Sequence, residues 1–84
     1  MNDTLIRKQA VEIVLGMAPV QIKSPDEETH LVNDLGYDSL RLVELGIALE
    51  EHFGITVVDD ETPQVHTLGD VEATAIRLVS QLAN

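Results

Sequence analysis

The chain is 84 residues long and carries 15 Asp and Glu against 5 Lys and Arg, a formal charge of -10 at pH 7, with no Cys. A domain of this size buries only about 60% of the surface its unfolded chain exposes, and the lack of Cys removes disulfides, thiolate nucleophiles and Cys-based metal sites. The charge repels nucleic acid phosphates and anionic lipid, so partners held by charge should be rich in Lys and Arg.

The polar start Met1-Asn2-Asp3-Thr4 leads into no signal-like apolar segment, and no apolar run approaches the roughly 18 residues of a membrane span. A single soluble domain over residues 1–84 is expected, monomeric and in a reducing cytoplasm, without membrane or nucleic acid partners. Residues Asp3 to about Met17 are predicted to be helical. Ile6, Ala10, Ile13 and Met17 recur at helical spacing, Val14 widens the stripe, and Arg7, Lys8, Gln9 and Glu12 are polar. Gly16 and Pro19 mark the end of that helix. From there to Asp38 the chain reads as a long structured loop with one helical turn. In it Ser24 to Glu27 has the spacing of a capped turn, and Ile22, Leu31, Val32 and Leu35 are placed to pin the segment to the bundle.

Asp38 is the predicted cap of a second helix from Ser39 to about Phe53, stopped by Gly54. Around Asp59-Asp60-Glu61 one short helix is expected, ending near Pro63. Thr67-Leu68-Gly69-Asp70 opens the last helix as a short-armed capping box. Leu68, Val71, Ala75, Leu78 and Leu82 give that helix its stripe, with Ile76 and Val79 beside it. Ile55-Thr56-Val57-Val58 is β-prone, but a lone strand has nothing to pair with. The expected fold class is all-α: a small four-helix bundle with three main helices, one short helix and a long structured loop after the first helix.

At about 100° per residue, Leu42, Leu49 and Phe53 share a narrow arc of the second helix with Leu45 and Gly46 beside them, which makes a core face. Leu40, Val43 and Ile47 occupy a second arc centred roughly 140° away, interleaved with Glu44, Glu50 and Glu51. Three buried, unpaired glutamates would be too costly, so part of this face meets water. An exposed apolar strip rimmed by charge marks a docking surface. The alternative is that the segment from Asp59 to Pro63 folds over Leu40, Val43 and Ile47 and completes the core. Between residues 34 and 61 the acids Asp34, Asp38, Glu44, Glu50, Glu51, Asp59, Asp60 and Glu61 accompany a single Lys or Arg, Arg41. Most of the net charge gathers about this helix, which favours docking.

Gly36-Tyr37-Asp38-Ser39-Leu40 sets a hydroxyl at the start of the same helix. As a catalytic nucleophile Ser39 would need a base and an oxyanion site. The stretch lacks the second glycine of a Gly-x-Ser-x-Gly elbow, and His30, His52 and His66 are scattered without a motif. Ser is also common at helix starts for its capping ability alone. Here Asp38 already fills the cap, which leaves the Ser39 hydroxyl in the first turn and turned outward. A phosphate esterified there would meet unpaired N–H groups at the positive end of the helix dipole. The residues favour a modified serine over a catalytic one. The spacing about Asp59-Asp60-Glu61 does not reproduce an EF-hand loop, and no metal site is expected.

Asp34-Leu35-Gly36-Tyr37-Asp38-Ser39-Leu40, followed by Val43-Glu44-Leu45 and Ala48-Leu49-Glu50-Glu51-His52-Phe53, resembles the acyl carrier protein family, and the likeness runs over the whole chain. The resemblance implies that Ser39 receives the 4'-phosphopantetheine arm of coenzyme A from a phosphopantetheinyl transferase, and that Asp38 helps present it. It also implies that Leu40, Val43, Glu44, Ile47, Glu50 and Glu51 bind basic patches on partner enzymes. The arm would supply the thiol this chain lacks and hold an acyl or aminoacyl group as a thioester. Tethering would concentrate that group at whichever loading enzyme, synthase or transferase has docked, while the carrier itself catalyses nothing. Where carriers of fatty acid synthesis often have an acidic residue after Ser-Leu, this chain has Arg41, and Leu42 follows where a small polar residue is common. Polyketide, nonribosomal peptide or related biosynthesis is therefore the expected setting. Primary fatty acid synthesis is the alternative, and an unmodified acidic helical adaptor for a basic protein is the competing class.

Overall fold

The computed structural model describes residues 2–57 and 65–82. Three helices of 15 residues carry the fold: α1 (Asp3–Met17), α2 (Ser39–Phe53) and α3 (Leu68–Leu82). Among the described residues there is no strand, only an isolated antiparallel bridge between His30 and Thr67. The short helix expected around Asp59 to Pro63, and its cover over α2, lie outside the described residues.

Each helix begins where a short polar side chain can take an orphan first-turn amide. Asn2 Oδ1 accepts from the Leu5 N–H at 2.8 Å, and Asp38 Oδ1 from the Arg41 N–H at 2.8 Å. At α3 the expected capping box is formed. The Asp70 N–H donates to Thr67 Oγ1 at 3.2 Å, while Asp70 Oδ2 accepts from the amides of Thr67 and His66 at 3.0 and 2.8 Å. α2 stops at Gly54, whose φ of +68° lies in the left-handed region open to glycine, and whose N–H donates to the Glu50 carbonyl at 2.9 Å. Gly16 lies inside the last turn of α1 and the C-cap is Ala18, so side chains of the following loop take the last carbonyls. The Tyr37 hydroxyl donates to the Val14 carbonyl at 2.7 Å, and Gln21 Nε2 to those of Leu15 and Ala18 at 3.2 and 3.1 Å.

The core joins Ile6, Ala10 and Val14 of α1 to Leu45, Leu49 and Phe53 of α2 and to Leu68, Val71, Ala75 and Leu78 of α3. Leu82, the last residue of the expected α3 stripe, is 59% exposed, because the stripe outruns the surface that covers it. In the loop before α2, Leu31 and Leu35 are buried, but Ile22 and Val32 are exposed rather than pinning the segment. For Val32 the turn over residues 31–35 is the reason. Asp34 N–H donates to the His30 carbonyl and Gly36 N–H to that of Val32, at 3.0 and 3.2 Å. With this helical spacing Leu31 and Leu35 share one face and Val32 points elsewhere. The capped turn expected at Ser24 instead forms on Asp26, whose Oδ1 accepts from Glu28 N–H at 2.9 Å and whose own N–H donates to Thr29 Oγ1 at 2.8 Å. Ser24 itself is exposed.

The loop is stitched to α3 by the Leu31 N–H on the His66 carbonyl and the Leu68 N–H on the Thr29 carbonyl, at 2.9 and 3.0 Å. At its far end Gly36 turns the chain toward α2 with φ +79°, where a Cβ would lie 2.9 Å from Val20 Cγ2. Those contacts settle where α2 begins.

Candidate functional site

Ser39 is the first residue of α2 and is exposed. Its place is set from the preceding side by Gly36 and by Tyr37, whose ring is buried (2% exposed) and whose hydroxyl is held on Val14. Burial pushes the Tyr37 phenol up to about 12, against the pull of the Arg41 guanidinium, so the hydroxyl remains a donor. Asp38 has extended backbone (φ -116°, ψ -179°) and spends its carboxylate on the Arg41 amide and its carbonyl on the Leu42 amide. The amides of Ser39 and Leu40, and the Ser39 hydroxyl, have no hydrogen-bond partner among the described residues. An outward hydroxyl beside two unpaired amides at a helix N-terminus fits a phosphodiester, which offers anionic oxygens to N–H groups at the positive end of the dipole.

The outer face of α2 is open. Leu40, Val43 and Ile47 are 69, 58 and 49% exposed, with Glu44 and Glu51 exposed beside them. Glu50 departs from this set. It is half-buried, and its Oε2 accepts from the Val57 N–H at 2.8 Å, so it staples the chain behind the helix instead of lying along the rim. On the wheel Glu50 falls at the border between the two faces, and the Gly54 turn brings Val57 back to it. Arg41 Nε lies 3.9 Å from Glu44 Oε1.

Behind α2 sits a feature the residues alone did not announce, an apolar cavity of ≈ 60 Å³. Leu42, Leu45, Gly46 and Leu49 line it from α2, Val71 and Thr74 from α3, and Val57 and Val65 from the connection. Its one signal was Gly46 within the core arc, where a Cβ would meet nothing within 4 Å. The histidines are engaged elsewhere. The rings of His30 and His66 stack with centroids 6.1 Å apart, and His52 Nε2 meets Gln9 Oε1 at 2.9 Å. Among the described residues no three or more side chains gather as a metal site.

A family model described as the phosphopantetheine attachment site matches residues 8–75. The acyl carrier protein of Wolinella succinogenes is 45% identical over 64 residues, covering 76% of this chain and 80% of that protein. This chain belongs to the acyl carrier protein family. A second acyl carrier protein, from a Sulfurovum species, is 43% identical over 63 residues, covering 75% of this chain and 80% of its own. The crystal structure of the acyl carrier protein of Thermotoga maritima matches with a TM-score of 0.77 at 21% identity, over 93% of this chain and 95% of that one, which shows a shared fold. The cofactor of this acyl carrier protein is 4'-phosphopantetheine. No helix among its described residues is long and apolar enough to cross a membrane.

Proposed function

We propose that this carrier bears its 4'-phosphopantetheine arm on Ser39 and presents acyl or aminoacyl groups to partner enzymes through the outer face of α2. The observation that carries the reading is the exposed, unbonded Ser39 hydroxyl beside the open amides of Ser39 and Leu40. A phosphopantetheinyl transferase would take the proton from Ser39 Oγ as that oxygen bonds to the phosphorus at the arm's end of coenzyme A, with the diphosphate linkage breaking so that adenosine 3',5'-bisphosphate leaves. Asp38 contributes by keeping the first turn wound on the Arg41 amide, which leaves the serine outside the cap. When bound, the arm supplies a thiol that holds the cargo as a thioester.

The chain's own residues do the work of a handle. Leu40, Val43 and Ile47 offer apolar area, and Glu44 and Glu51 attract the basic patches of loading enzymes, synthases and transferases. In this reading the docked enzymes make and break the bonds of the cargo, and the carrier itself is non-catalytic. Polyketide, nonribosomal peptide or related biosynthesis is the favoured setting. The support is Arg41, which puts a cation rather than an acid in the first turn of α2.

The test is intact mass after incubation with coenzyme A and a broad-specificity phosphopantetheinyl transferase. The mass rises by one phosphopantetheine in the natural chain and stays constant in Ser39→Ala. A chain that remains bare in this assay and when purified from its own cell would be an unmodified acidic adaptor instead.

A further inference from the structure

Ser39 is exposed at the tip of α2, so its place is fixed by what lies behind it. Asp38 is extended, with φ -116° and ψ -179°, so Tyr37 and Ser39 stand about 7 Å apart along the chain. Tyr37 is the nearest buried residue before the serine. Its N–H donates to the Leu31 carbonyl at 3.0 Å and its hydroxyl to the Val14 carbonyl at 2.7 Å. Between α1 and the chain from Gly36 to Phe53, the described residues form one other hydrogen bond. It joins His52 Nε2 to Gln9 Oε1 at 2.9 Å, at the far end of α2.

The Val14 carbonyl is open because of how α1 ends. Its partner by helical spacing, the Ala18 N–H, donates to the Leu15 carbonyl instead, at 3.4 Å. A phenylalanine ring would fill the same buried space as Tyr37 but leave this carbonyl unsatisfied. Apolar packing is also non-directional, whereas a hydrogen bond has a preferred length and angle. The hydroxyl therefore fixes how the ring, and the short stretch from it to Ser39, is turned relative to α1. Burial pushes the phenol up to about 12, so this donor is in place at neutral pH.

We propose that Tyr37 is a positioning residue for the priming of Ser39: the bond from its hydroxyl to the Val14 carbonyl holds Ser39 Oγ where the phosphorus of coenzyme A meets it in a docked transferase. In that step the Oγ–P bond forms, the diphosphate linkage breaks and adenosine 3',5'-bisphosphate leaves. Tyr37 moves no proton in it and touches no reacting atom. Its effect is on alignment, and a misplacement of about 1 Å can slow a reaction roughly 100-fold. Leu40, Val43 and Ile47 stay as they are, so docking is untouched. The inference rests on Ser39 being the attachment point.

The test follows phosphopantetheine transfer from coenzyme A to the full chain by a broad-specificity transferase, read as intact mass at varied carrier concentration. Tyr37→Phe is expected to lower kcat about three- to tenfold with KM for the carrier within about twofold. Ala75→Gly, buried in the middle of α3, is the control for lost stability alone and should prime at the natural rate. Both are assayed well below their melting temperatures. Should either melt near the assay temperature, the pair is read in the Gly46→Ala background, which helix propensity stabilises. Backbone order parameters of Ser39 and Leu40 should fall in Tyr37→Phe and hold in Ala75→Gly. Natural kcat in Tyr37→Phe, a loss confined to KM, or an equal loss in both variants overturns the proposal. A natural chain that takes up no arm, or a Ser39→Ala chain that still does, overturns the attachment point itself, and the role of Tyr37 with it.

Discussion

The Tyr37 hydroxyl donates to the main-chain carbonyl of Val14 at 2.7 Å, across 23 positions of sequence, with both residues buried. The Val14 carbonyl belongs to the last turn of α1, whose final carbonyls have no helical partner. A residue two places before Ser39 therefore completes the end of a different helix, and the position of the serine is tied to α1.

Tyr37→Phe removes that donor and leaves a buried carbonyl unsatisfied, at a cost of about 1–3 kcal/mol measurable by urea unfolding. Burial also raises the phenol from 10.0 to about 12. Above pH 10 the unfolded chain releases this proton more readily than the folded one. Stability from this group is thus complete below pH 10 and lost as pH rises through about 12. The phenylalanine variant should lack this part of the alkaline decline, and an unchanged profile would refute the assignment.

Glu50 and Glu51 are neighbours with different tasks. Glu50→Ala frees the Val57 amide and should lower stability by about 1 kcal/mol, with Glu50→Gln recovering much of it through its remaining acceptor. Glu51→Ala should leave stability within about 0.5 kcal/mol and instead slow acyl transfer by partner enzymes at low salt. Thermal melts and transfer rates of the three variants separate the two roles.

At the start of α3 two carboxyls work in opposite directions with pH. The His66 amide holds Asp70 below its ordinary value of 3.8, opposed by burial and aided by the Thr67 amide and hydroxyl. Its stabilisation is present above that pH and lost as pH falls through the depressed value. Asp70→Ala should therefore cost about 1 kcal/mol at pH 7, with the gap closing in acid. Glu72 is raised above 4.5 by burial first and then by Glu27, while Arg7, 4.0 Å away, pulls it down. Its ionised form is the unfavourable one in the fold, so Glu72→Gln should raise the urea midpoint at pH 7 and lose that advantage below about pH 4.5. Parallel pH profiles for the two variants would contradict both assignments.

Gly46 sits in the interior of α2 with open space where a Cβ would stand. Gly46→Ala should stabilise the fold by about 0.8–1 kcal/mol through helix propensity alone. A midpoint that stays level or falls would mean that the space beside Gly46 is closed in solution.

Helix caps and apolar periodicity act between residues three or four places apart, so their signals lie side by side in the chain. The Asp38 cap, the Thr67 to Asp70 box, the Gly54 stop, the three helices and the two faces of α2 were legible for that reason, and so was the motif around Ser39. Other features arise between residues that only the folded chain brings together. Tyr37, and not Ile22 or Val32, ties down the loop because a carbonyl 23 positions away is left open at the end of α1. Glu50 leaves the exposed rim of α2 because the Gly54 turn returns Val57, 7 positions on, to its carboxylate. The cavity beside Gly46 exists only where α2, α3 and the connection meet. The amino-acid order by itself determined where helices begin and end and which hydroxyl stands at the tip of α2, since these depend on local hydrogen bonding and side-chain spacing. The tertiary structure alone decided which acids of the described residues remain unheld and where an apolar pocket opens behind α2, because both depend on groups distant in sequence competing for the same space and the same hydrogen bonds.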